Sequence, residues 1–120
     1  MKLEVGMYVR YTVRNYQGDW TEIDKINEYI PKSGQLYLKN SVCVKTNVIK
    51  ASHNKIDLIE VGDYVNGYKV SFKDNDYKPF VQCDYPVQKG TTNHYRFYEE
   101  AIYSIVTKEQ FESMSYKVGE

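Results

Sequence analysis

Apolar and polar residues alternate over short runs along most of this chain, and Gly, Pro, Asn and Asp interrupt the runs at close intervals. Alternation at period two marks half-buried strands, whereas an amphipathic helix repeats at a period near 3.6. Met7-Tyr8-Val9-Arg10-Tyr11-Thr12-Val13 predicts the first strand, rich in aromatic and β-branched residues. After a turn at Gln17-Gly18-Asp19, the run from Trp20 to Ile26 predicts a second, twisted strand. Pro31-Lys32-Ser33-Gly34 is a turn signal. Gln35-Leu36-Tyr37-Leu38-Lys39, Ser41-Val42-Cys43-Val44-Lys45 and Asn47–Ser52 complete a first set of short strands.

The pattern then restarts. Leu3-Glu4-Val5-Gly6-Met7-Tyr8-Val9 returns as Ile59-Glu60-Val61-Gly62-Asp63-Tyr64-Val65. Two copies of one opening in a chain of 120 residues point to duplication of a small unit. The glycines suit a tight turn with positive φ. Val5/Val61 and Val9/Val65 are expected to face equivalent cores. Asn66-Gly67 is a hairpin dipeptide, followed by strands at Tyr68–Phe72, Phe80–Cys83, His94–Tyr98 and Ala101–Val106, with loops at 73–76 and 89–93. One helix of about two turns is expected after Thr107, which can cap it with Gln110 completing a capping box. Phe111 and Met114 would share its inner face, and Tyr116-Lys117-Val118 would return as an edge strand.

These elements predict an all-β fold with one short C-terminal helix. The expected plan is two tandem SH3-like small-barrel units, residues 1–57 and 58–120, from an internal duplication. A single merged barrel or sandwich is the alternative. Units of this size bury only about 60 % of their unfolded surface, so the halves are expected to pack on each other.

Charge changes the functional picture. Sixteen basic and sixteen acidic residues balance, which argues against a dominant nucleic-acid or membrane footprint. The balance conceals a split: residues 1–57 carry nine Lys/Arg and six Asp/Glu, residues 58–120 seven and ten. Lys2 and Glu4 stand where a signal peptide's apolar core would begin, and no apolar run is long enough to span a bilayer. A cytoplasmic location is expected. Cys43 and Cys83 occupy non-equivalent places in the two halves, and two idle thiols are favoured over a disulfide.

No catalytic motif is present, and no cofactor or metal is expected. His53 and His94 lack ligands at metal spacing, and the seven glycines form no phosphate loop. Cys83 with His94 lacks any sign of thiol activation. The adjacent acids Glu99-Glu100 would face opposite sides of a strand. Binding is the better class, because 13 of the residues are Tyr, a rigid amphipathic side chain common in contact surfaces. Tyr8 and Trp20 are read as core. Tyr11, Arg14 and Tyr16 in the first unit, and Tyr77, Tyr85 and Tyr95 in the second, are the candidate partner-binding residues. Aromatics beside arginine can also stack bases, so a small nucleic-acid-binding or regulatory protein using Arg10, Arg14 and Tyr16 is the rival reading.

The segments Met1–Arg10, Ile56–Val70 and Tyr103–Glu112 together resemble a group of small proteins encoded by phages, prophages and integrated elements of low-GC Gram-positive bacteria. These segments look like framework, which leaves Val13–Asn47 and Ser71–Arg96 as the diverging parts. The resemblance implies an accessory protein of a mobile element. Such proteins include anti-CRISPR inhibitors, which would make the partner a host protein such as a CRISPR nuclease effector, blocked sterically.

Overall fold

The computed structural model describes residues 2–16, 18–88 and 91–118, without the side chains of residues 15, 85–88, 91–93 and 115–118. The chain divides into two compact units, Met1–Leu58 and Ile59–Glu120. It is mainly β, with one C-terminal helix. The first unit contains β1 (Tyr8–Asn15), β2 (Gly18–Ile30), β3 (Gln35–Leu38), β4 (Val42–Val44) and β5 (Val48–Ser52), with 3₁₀ turns at Lys45–Asn47 and Lys55–Asp57. Its antiparallel sheet has the order β4-β3-β2-β1-β5. The second contains β6 (Tyr64–Val65), β7 (Tyr68–Asp74), β8 (Phe80–Gln88), β9 (Thr91–Tyr98) and β10 (Ile105–Val106). A 3₁₀ turn at Glu99–Ala101 precedes β10, and helix α1 (Lys108–Val118) follows it. Its order is β10-β6-β7-β8-β9, so strand for strand the two sheets are connected alike.

The likeness extends to single hydrogen bonds. In the first unit Met7 N donates to Glu4 O, Gly6 N to Ile26 O and Ile26 N to Met7 O. In the second, Asp63 N donates to Glu60 O, Gly62 N to Val70 O and Val70 N to Asp63 O. Gly6 and Gly62 have φ of 94° and 101°, a region closed to most side chains by the Cβ. Tyr8 pairs with Lys25 as Tyr64 pairs with Lys69. Each unit then has a register shift at the same place, between Ile26 and Glu28 and between Val70 and Phe72.

Where the units differ, they differ in hairpin length. Strands β1 and β2 run out to the pair Asn15–Gly18, whereas β6 and β7 are joined at once by Asn66-Gly67. Both of those turn residues have positive φ, as a type I′ turn requires. Conversely, β8 and β9 stay paired out to Gln88–Thr91, whereas β3 and β4 are short. The strands thus run into the expected loop at 89–93, of which residues 89 and 90 lie outside the described residues.

Several matched positions, among them Leu3 and Ile59, Val9 and Val65, and Ile26 and Val70, lie in the interiors. Leu3, Val9, Tyr11, Ile26, Leu36, Leu38 and Cys43 form the first unit's core. Ile59, Val65, Val70, Val81, Cys83 and Ile102 are buried in the second. Both cysteines are free thiols. Val9 and Val65 are fully buried as expected, but Val5 and Val61 are more than half exposed. The glycine turn follows them directly, and it is Leu3 and Ile59, two positions earlier, that point inward.

The helix is longer than expected and continues through Val118, so the edge strand at Tyr116–Val118 does not form. Thr107 Oγ1 accepts from Gln110 N at 3.1 Å, the cap read from the sequence. A second anchor is Asp63, fully buried, whose carboxylate accepts from Glu60 N at 2.7 Å and Lys108 N at 2.9 Å. It ties the repeat turn to the first residue of α1. Tyr64 stacks on Phe111 with ring centroids 4.1 Å apart, and Lys108 Nζ reaches Glu60 Oε1 at 3.0 Å, which raises the Lys108 pKa. Met7 stands in the equivalent place in the first unit, where no such helix is present among the described residues.

Candidate functional site

Of the six candidate residues, Tyr11 does not lie at the surface. Tyr11 is core: it is 2 % exposed, and its hydroxyl contacts Ser41 Oγ at 3.0 Å and Glu22 Oε1 at 3.4 Å. Burial pushes its phenol up to about 12. Alternation from Val9 carries it inward, against its assignment to the surface. Arg10 is buried as well, donating from NH1 to Leu58 O at 3.0 Å, so it cannot serve a nucleic-acid face. Tyr8 and Trp20, read as core, are only half-buried. The ammonium groups of Lys55 and Lys25 lie 5.6 and 6.0 Å from the Tyr8 ring centre, and Trp20 Nε1 donates to Glu22 Oε2.

Arg14 and Tyr16 are exposed near the end of the β1–β2 hairpin. Tyr77 is fully exposed in the segment between β7 and β8. Tyr95 lies on β9 with its ring edge-on to Tyr68 and Phe97, at 5.3 and 6.1 Å. Tyr85 is in β8, but its side chain lies outside those described.

A different group does converge, on the outer face of the second sheet. The pairs Phe72–Gln82, Gln82–Arg96 and Phe80–Tyr98 are direct cross-strand partners, so these side chains share one face. The opposite face carries Val70, Val81 and Cys83, all buried. Phe80 lies 6.2 Å from Phe72 and 5.9 Å from Tyr98, centroid to centroid. The Arg96 guanidinium sits 4.6 Å above the Phe80 ring, and Lys78 Nζ 4.4 Å above Tyr98. Contacts of this kind contribute about 0.5–1 kcal/mol each at exposed sites. They hold two cations over adjacent rings.

Phe72 is the residue that alternation cannot place. Two positions from the buried Val70, it should face the core; it is instead 49 % exposed. The register shift between Val70 and Phe72 inserts one residue and reverses every later side chain. The same shift in the first unit places Ile30, Tyr37, Val42 and Val44 on the equivalent outer face, all at least a third exposed. That face has no cation over a ring among the described residues.

The remaining reactive groups are quiet. Burial pushes the Cys83 thiol up to about 11 and raises that of Cys43 as well, which disfavours the nucleophilic thiolate. His94 contacts Asp84 at 3.2 Å, and its direct partner on β8 is Asp84, so it faces away from Cys83. Among the described residues no three His, Cys, Asp or Glu side chains gather as a metal site. No helix among them is long and apolar enough to cross a membrane. Compared with protein-family models, curated proteins and solved structures, the chain matches none.

Proposed function

We propose that this is a non-enzymatic binding protein whose contact surface is the outer face of β7, β8 and β9, centred on Phe72, Phe80, Arg96 and Tyr98. The observation that carries the reading is Phe72, a large apolar ring turned to solvent by a bulge and joined there to two more aromatic rings and two cations. Clusters of aromatic residues with arginine dominate interface energetics, and an exposed apolar group of this kind has no role in the unit's own core. Balanced net charge supports a protein partner over nonspecific nucleic-acid binding.

Both units are read as copies of one SH3-like design, supported by the shared strand order and the matched turn. In this reading the shared frame holds the sheets, and the unequal hairpins and outer faces carry specificity. The resemblance to mobile-element proteins extends the proposal to its biological form: a cytoplasmic, anti-CRISPR type inhibitor that docks on a host nuclease effector and blocks it sterically. The test is an affinity pull-down from a host lysate with and without nuclease treatment. The expected result is a protein retained after nuclease digestion and lost with Phe72→Ala at unchanged melting temperature. Retention by Phe72→Ala, with loss on Arg14→Ala or on nuclease treatment, would overturn the assignment of the face.

A further inference from the structure

We infer that the partner segment seated on this face presents a carboxylate, held between Arg96 and Lys78, beside an apolar side chain that covers Phe72. The inference rests on the proposed contact surface and adds the chemistry of its occupant. Arg96 and Lys78 lie over rings, yet among the described residues neither has an ion pair or side-chain hydrogen bond within the chain. A guanidinium stacked on an aromatic ring keeps its in-plane N–H donors open at the ring's edge, and those donors match a carboxylate in geometry. Stacking also fixes the side chain beforehand, so less conformational entropy is lost when the anion arrives.

The surroundings select a protein anion over a nucleic-acid one. Asp74 and Asp84 lie on the same face as Phe80, and Glu99 and Glu100 follow Tyr98 directly. Residues 58–120 hold ten acidic against seven basic side chains. A phosphate chain with one charge per nucleotide would meet this acidic rim at several points. A single Asp or Glu flanked by apolar and basic residues meets the two cations at the centre and favourable charges at the rim.

The experiment is selection of a random-peptide display library on the whole wild-type chain. The selected peptides are then titrated against Arg96→Gln, Lys78→Gln and Phe72→Ala proteins, each first shown by circular dichroism to be folded. The expected peptides carry Asp or Glu beside an aromatic or aliphatic residue. They lose about tenfold or more in affinity for Arg96→Gln and Lys78→Gln, and similarly when their own acid is changed to its amide. Peptides that need Phe72 but are indifferent to both cation variants would overturn this inference and leave the contact face standing. Peptides indifferent to Phe72→Ala, or displaced from the face by an oligothymidylate, would overturn the contact-surface reading itself. An unenriched library counts against the carboxylate.

Discussion

Asp63→Asn should release helix α1 from the second unit. The change is nearly isosteric, so packing is preserved and only the acceptors are altered. Asp63 is fully buried and accepts from Glu60 N and Lys108 N with different oxygens. An asparagine can satisfy one of these donors with its carbonyl, but its NH₂ group then faces the other. The loss combines a hydrogen bond to a charged acceptor with a buried donor left unpaired, about 2–4 kcal/mol together. Loss of a helix cap alone costs about 0.5–2 kcal/mol. For a unit of this size each kcal/mol lowers the melting temperature by about 4–8 °C, so a fall above about 10 °C is expected. Urea denaturation followed by far-UV circular dichroism and by tyrosine fluorescence gives the free energy. Hydrogen exchange should show α1 and the turn at Glu60–Asp63 opening first. Asp63→Asn within about 0.5 kcal/mol of wild type would refute the view that this carboxylate ties the repeat turn to the helix.

Three other outcomes follow from the same geometry. Val9→Ala and Val65→Ala, at matched and fully buried positions, should each cost about 1–3 kcal/mol in denaturant titration, whereas Val5→Ala and Val61→Ala should be near neutral. Ellman's reagent should leave both cysteines unmodified in the native protein and label both in urea, because burial raises both thiols and Cys83 reaches about 11; rapid native labelling would contradict their placement. The hydrogen bond and charge of His53 hold the Glu4 carboxyl below its ordinary 4.5. A depressed folded value contributes stability that is present above the unfolded value and is lost as pH falls through the folded one. The stability difference between wild type and His53→Gln should therefore shrink as pH falls below 4.5, and a difference that grows there would reverse the sign of the argument.

Much of the frame was legible in the sequence, because backbone demands leave local marks. The paired glycines, the Asn66-Gly67 turn and the Thr107 cap each depend on φ or on an orphan amide that few residues can satisfy. The candidate surface was less legible, for two physical reasons. A bulge inserts one residue without a distinctive residue type, so the facing of Phe72 reversed against its alternation with Val70. Long-range contacts then buried residues whose chemistry reads as surface: Arg10 reaches Leu58 O, and Tyr11 finds partners in Glu22 and Ser41. Phe80 and Tyr98 were visible as aromatic ends of expected strands. That Arg96 sits above Phe80 depends on the register of β8 and β9, and Lys78 reaches the Tyr98 ring from the segment before β8. Helix α1 outran its expected end because no glycine or proline stops it before Gly119.

Hydroxyl-radical footprinting of the wild-type chain, free and bound to a protein retained in the proposed pull-down, tests the central claim most directly. The chain carries its own controls, since Phe72 on β7, Tyr16 in the turn after β1 and Tyr103 in the segment before β10 are all open to solvent. Binding through the outer face of β7–β9 should suppress oxidation of Phe72 and leave Tyr16 and Tyr103 oxidised at the rate of the free protein. Suppression at Tyr16 with Phe72 unchanged would place the contact on the β1–β2 hairpin and contradict the account.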